Sequence, residues 1–173
     1  ESGWSYRVGA YERLLHRLRP RWENAYNPVE VFPEVERDLV RIDAARARAI
    51  WKMLMERYAE HGTTFHFEVH PSHLGDADFT LLETAPAGLF QFELGIQSTH
   101  AAALEASGRK GNWEKEEASI RELLARTEVG AHVDLIAGLP FEGVAGIAES
   151  FNRVYALGAR HFQLGTLKLL PGT

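Results

Sequence analysis

The sequence predicts an α/β fold: part of a TIM-type (β/α) barrel with parallel strands. Three observations predict it. Strand-like apolar runs alternate with helical segments of about 10 to 15 residues, the pattern of βαβ units. Polar residues gather where those runs end, at residues 67–71, 92–98 and 133–140. Parallel α/β folds bind ligands at the carboxyl ends of their strands. The chain has 173 residues, fewer than the about 200 to 250 of a complete eight-stranded barrel.

The elements follow in order. Leu14, Leu15 and Leu18 stand at helical spacing within residues 11–18, and Pro20 closes that helix. Residues 19–35 are irregular, broken by Pro20, Pro28 and Pro33, with Val29-Glu30-Val31-Phe32 as a short strand candidate. Residues 1–40 otherwise match no pattern. Asp43 reads as an N-cap, because its carboxylate can accept from a free amide of the first turn. After it Ala44, Ala47, Ile50, Trp51, Leu54 and Tyr58 form an apolar stripe, and Gly62 follows as a stop.

Residues 63–69 are β-rich and end at Pro71. A short helix is predicted at 76–84, then a strand at 89–94 that Gly95 ends. Helices follow at 100–106 and 113–126, a strand at 131–136 that Gly138 and Pro140 end, a helix at 144–157 and a strand at 161–167. Trp51, Trp113 and Phe151 lie on helical faces and are expected in the core. No repeat, low-complexity stretch or linker divides the chain, so residues 1–173 read as one domain.

Composition excludes several function classes. The chain is 45% hydrophobic and 25% charged, an ordinary globular balance. Its net charge of -5, with both signs mixed along the chain, disfavours a broad nucleic-acid surface. No apolar run approaches the roughly 20 residues of a membrane span, and no signal peptide opens the chain, so a cytoplasmic protein is expected. There is no cysteine, hence no disulfide and no thiolate metal ligand. Glu1-Ser2-Gly3-Trp4 lacks an initiator Met, and Leu169-Leu170-Pro171-Gly172-Thr173 stops straight after a strand-like run. A piece of a longer barrel is therefore expected. Such a piece exposes two sheet edges, which favour domain partners or self-association.

Four polar residues stand out at the strand ends. Glu68 shares a strand face with His66 and His70, because side chains alternate; Phe65, Phe67 and Val69 face the other way. The polar face would line a barrel interior; the alternative is the solvated face of an edge strand. Gln97 follows Gly95, where a bare backbone lets a ligand approach, and Glu93 has the same parity. Arg109 sits between Gly108 and Gly111 in a basic loop, and its planar fork suits a carboxylate or phosphate. Asp134 is a carboxylate in an apolar run, which needs a ligand hydroxyl or a pairing with His132 or Arg109.

Together, Phe-Glu-Val-His-Pro, Glu-Leu-Gly-Ile-Gln-Ser, Gly-Arg-Lys-Gly and Asp-Leu-Ile-Ala-Gly-Leu-Pro resemble the radical S-adenosylmethionine (SAM) superfamily. The resemblance is to oxygen-independent coproporphyrinogen oxidase-like members and to radical SAM proteins with an N-terminal cobalamin-binding domain. It covers about residues 40–173 and rests on order and spacing. It implies a (β/α)6 barrel that binds SAM and, through the parent protein, a 4Fe-4S cluster. Glu68 would hold the SAM amino group and Arg109 its carboxylate. Gln97 and Asp134 would hold the ribose hydroxyls, and backbone near Ile136 would edge the adenine. The resemblance implies an oxidoreductase or methyltransferase-like reaction with a small-molecule cofactor; it names no substrate and no catalytic residue.

The chain departs from that family at the cluster loop. Cys-x3-Cys-x2-Cys is absent, and in the family it would lie at or just ahead of residue 1. A Gly-Gly-Glu-type stretch is missing from residues 29–40, and no Asp-x-His-x-x-Gly cobalamin motif occurs. The chain alone is therefore expected to be inert, because no thiolates hold a cluster. Two rival readings stand beside this one. In the first, His66, Glu68 and His70, with His132, Asp134 and His161 on later strands, hold the metal of a barrel hydrolase. In the second, the barrel is a non-catalytic binding domain.

Overall fold

A computed structural model describes residues 29–31 and 43–168. The helix expected at residues 11–18 lies outside them. Five strands form one sheet in the order β1-β2-β3-β4-β5, and each neighbouring pair is parallel. The strands are β1 (Val29–Val31), β2 (Thr64–Glu68), β3 (Phe90–Gln97), β4 (Gly130–Ala137) and β5 (His161–Thr166). Helices α1 (Ala44–Tyr58), α2 (Asp76–Leu82), α3 (Ala101–Ala106), α4 (Trp113–Arg126) and α5 (Val144–Tyr155) fill the connections. A 3-10 turn at Pro71–His73 follows β2. This is the parallel βαβ alternation that the sequence predicts. None of these helices is long and apolar enough to cross a membrane.

Helix α1 starts as the sequence requires. Asp43 Oδ1 accepts from the Arg46 amide at 2.9 Å. Its buried stripe is Ala47, Ile50, Trp51, Met53 and Leu54. Helix α4 has the same device: Asn112 caps it through the Lys115 amide at 2.9 Å.

Side-chain alternation divides the sheet into two faces. Phe65 and Phe67 of β2, Phe90, Phe92, Leu94 and Ile96 of β3, and Ala131, Val133 and Leu135 of β4 join one core with the helices. The Trp51 ring lies 5.3 Å from Phe92 and meets Phe67 edge-on at 6.3 Å. Burying each such side chain is worth roughly 1.5–3 kcal/mol. Trp113 is buried and Phe151 packs against the core, as expected. The opposite face carries His66, Glu68, Gln91, Glu93, His132 and Asp134, so the helices cover the apolar face and leave the polar one to line the barrel interior.

Two ion-paired hubs tie the helices together. Buried Asp78 accepts from Arg48 of α1 at 2.7 Å and from the Gly75 amide at 2.8 Å. Arg126 at the end of α4 reaches Asp76, Glu83 and Glu122.

Most boundaries differ from the sequence expectation by a residue or two. One difference matters. Strand β3 does not end at Gly95 but runs through it to Gln97, with a register shift against β4 between these two residues. Glycine leaves the ladder intact there and places the irregularity at Gln97, whose φ is 68°.

Candidate functional site

The strand ends converge on an open cavity of about 340 Å³ lined by Glu68, Val69, His70, Glu93, Gly95, Gln97, Arg109 and Asp134. It therefore gathers Glu68, Gln97, Arg109 and Asp134, four positions singled out in the sequence. Ile136 lies two residues beyond Asp134 on β4 and is not among the lining residues.

Register explains the convergence. Glu68, Glu93, His132 and His161 pair in one row across β2, β3, β4 and β5. Gly95, Asp134 and Gln163 form the next row toward the carboxyl ends. Residues in one row and of one parity project side by side, so three carboxylates meet on the same face.

Gly95 makes room for two of the site's side chains. A Cβ there would lie 2.8 Å from Gln97 Nε2 and 3.9 Å from Arg109 Nη1. Arg109 Nη1 donates to the Gly95 carbonyl at 3.0 Å. Gln97 holds a left-handed backbone that non-glycine residues rarely adopt, at a cost of about 1–3 kcal/mol. Such strain persists where the surroundings enforce it, and here it aims the amide into the cavity.

Neighbouring loops are fastened to this frame. Ser119 of α4 donates to the Pro71 carbonyl at 2.6 Å, holding the exit of β2. Glu142, after β4, accepts from Ser98 at 2.7 Å and from Ser150 at 2.9 Å, which locks the exit of β3 to α5. Glu116 accepts from the Asn112 amide at 3.1 Å and secures the loop that carries Arg109. Gly111 in that loop leaves room for Leu104, whose Cδ1 would lie 2.4 Å from a Cβ there and would have to shift.

The electrostatics are those of crowded acids. Burial first, then the hydrogen bond that the protonated carboxyl donates to Glu93 and the charges of Glu93 and Glu68, push the Asp134 carboxyl up to about 7. Its Oδ1 lies 3.3 Å from His132 Nε2 but is buried without a hydrogen bond. Burial lowers the His132 pKa; Glu93 opposes this, and His66 and His161 add to it. Burial also raises that of Glu116, against the Asn112 amide and Arg109.

The ligand set of the rival metal reading is rearranged. His70 does not join His66: its Nδ1 lies 3.0 Å from Ser72 Oγ and its Nε2 4.0 Å from Glu116. His66 instead groups with Glu93 and His132, with potential ligand atoms all within 4.8 Å of one another. Glu93 was legible only as sharing the parity of Gln97; its place beside Glu68 and His132 depends on register, which no single strand encodes.

No protein-family profile and no curated protein matches this sequence. Solved structures do. TsrM of Kitasatospora setae, a radical SAM methyltransferase with cobalamin and a 4Fe-4S cluster bound, superposes with a TM-score of 0.72 at 16% identity, over 96% of this chain and 32% of that one. The fold is that of the radical SAM enzymes. Coproporphyrinogen III oxidase (HemN) from Escherichia coli, also a radical SAM enzyme, matches with a TM-score of 0.60 at 21% identity, over 73% of this chain. TsrM with tryptophan substrate and the SAM analogue aza-SAM bound matches over 73% with a TM-score of 0.59 at 16% identity. The chain spans 29% of the HemN chain and 32% and 25% of the two TsrM chains. The radical SAM likeness thus covers part of a barrel, and the cavity sits at its strand ends.

Proposed function

We propose that this chain forms the SAM-binding wall of a radical SAM enzyme. The observation that carries this reading is the convergence of Glu68, Gln97, Arg109 and Asp134 on one cavity, from three adjacent strand ends and one loop.

The donor set suits the ligand. SAM presents an ammonium, a carboxylate, a sulfonium and a ribose diol. Glu68 would hold the ammonium and Arg109 the carboxylate through its fork. Gln97 and Asp134 would take the ribose hydroxyls, and Asp134 Oδ1 has no hydrogen bond that would compete. Backbone beside Ile136, further along the same strand, would meet the adenine. A ligand of net positive charge also relieves the crowding of Glu68, Glu93 and Asp134, which Arg109 alone does not balance.

When bound beside a reduced 4Fe-4S cluster, SAM supplies a 5′-deoxyadenosyl radical; the protein orients it and excludes water. The cluster itself does not fit these residues, because the chain has no cysteine. Its thiolates would come from elsewhere, and on this reading the chain alone cleaves no SAM. An oxidoreductase or methyltransferase-like parent, with or without cobalamin, and a reducing cytoplasmic setting belong to the same proposal. So does association through the β5 edge, where Leu164 and Leu167 are exposed.

Saturation-transfer NMR with SAM tests the reading. Ribose and adenine protons should gain saturation from the wild-type chain and lose most of it with Arg109→Ala combined with Asp134→Asn. No transfer from the wild type, or equal transfer from the double variant, would remove it.

A further inference from the structure

We infer that His66, Glu93 and His132 form a site for a first-row divalent metal ion on the inner face of the sheet, beside the cavity that Glu93 lines.

Three strands supply one ligand each: His66 from β2, Glu93 from β3 and His132 from β4. Their ligand atoms lie within 4.8 Å of one another. Two of them already stand at a chelating separation. His66 Nε2 and Glu93 Oε2 are 3.1 Å apart, against the about 3.3 Å between neighbouring ligands of a tetrahedral zinc with bonds near 2.0 Å. The widest pair need close by no more than about 1.5 Å to reach that geometry. Glu93 and His132 are the half-buried members of the trio.

The second observation is a buried, unpartnered nitrogen. His66 is 9% exposed, and its Nε2 has no hydrogen bond although Glu93 is so near. The ring nitrogen and the carboxylate lie side by side rather than aligned. That arrangement is poor for a hydrogen bond. It is the arrangement of two ligands facing a common third atom.

The donor chemistry names the class of ion. Two imidazoles and one carboxylate are borderline ligands that suit zinc or ferrous iron, not the all-oxygen sphere that magnesium and calcium require. Three protein ligands leave further positions open, as in metal sites that bind an exchangeable molecule. Glu93 belongs both to this trio and to the cavity lining, so an ion here would face whatever the cavity holds. The inference does not depend on SAM: the ligands are not those proposed to hold it.

Equilibrium dialysis of the full chain against zinc, with metal analysis of the retained protein, tests the site. One equivalent should be retained. His132→Gln and Glu93→Gln should each weaken retention at least tenfold, with unchanged far-UV circular dichroism. The double variant His70→Gln/His73→Gln, which removes an imidazole pair 4.8 Å apart outside the trio, should retain the full equivalent. Cobalt substituted for zinc should give visible ligand-field bands that His132→Gln abolishes. No retained zinc, retention that survives His132→Gln and Glu93→Gln, or retention lost in the His70/His73 variant would overturn the inference. Should His66→Gln fail to fold, the half-buried His132 and Glu93 carry the test alone. SAM transfer in the NMR experiment is read separately, so either conclusion can fail without the other.

Discussion

Arg109 reaches from the loop after α3 to the end of β3, where its Nη1 donates to the Gly95 carbonyl at 3.0 Å. One guanidinium thereby closes the strand end with one edge and keeps its other donors for a ligand. Lysine offers a point charge without that fork. Arg109→Lys is therefore expected to weaken SAM-type ligand binding by about tenfold, or 1.4 kcal/mol, while the melting temperature changes little. Ligand titration alongside thermal unfolding reads both quantities; unchanged binding would show that charge alone suffices.

Gly95 holds the space that this contact needs. Gly95→Ala places a Cβ 2.8 Å from Gln97 Nε2, so the Gln97 amide must leave its position. The displaced atom is the tip of a flexible, half-buried side chain, so stability should change by less than about 1 kcal/mol while ligand binding is lost. Denaturant unfolding measures the first. If the variant binds like the wild type, Gln97 has no part in the site.

Glu116 links the Arg109 loop to acidity. Burial holds its carboxyl above the ordinary range, so folding favours the protonated form. Its ionisation costs stability; that cost is absent below the unfolded pKa and grows as pH rises through the folded one. Glu116→Gln keeps an acceptor for the Asn112 amide and removes the charge. Its melting temperature relative to wild type should therefore rise between about pH 4 and about pH 8. A pH-independent difference would mean that the Asn112 amide and Arg109 fully offset the burial of Glu116, and a difference that falls with pH would mean that folding favours the carboxylate.

The core sets the rigidity of the sheet that carries the site. Phe92 is fully buried and packs against Trp51 and Phe67. Phe92→Ala should cost about 3–5 kcal/mol, measured by denaturant unfolding. Because Glu93 and Gln97 hang from the same strand, ligand binding should weaken as well.

Much of this architecture could be read from one dimension. The stripe from Ala44 to Tyr58, the Asp43 cap and the alternation of Phe65, Phe67 and Val69 are local patterns, and helical or strand period alone decides which face is apolar. The same parity puts His66 and Glu68 together and, separately, His132 and Asp134. The strand-end rule then singles out Glu68, Gln97 and Asp134, since a parallel sheet sends all its carboxyl ends to one side.

What no local pattern contains is register between strands. Whether Glu93 faces Glu68 and His132 or sits a step away is fixed by ladder pairing, and that follows from how the whole helical layer packs on the other face. Hence the rival metal reading, His66, Glu68 and His70 with His132, Asp134 and His161 from later strands, narrows to His66, Glu93 and His132. Along the chain the nearest carboxylate to His66 is Glu68. The fold instead joined residues from three strands that lie side by side. In the same way, the course of β3 through Gly95 to a left-handed Gln97 is a property of its pairing with β4, and it is this bend that turns the Gln97 amide toward Arg109 and Asp134.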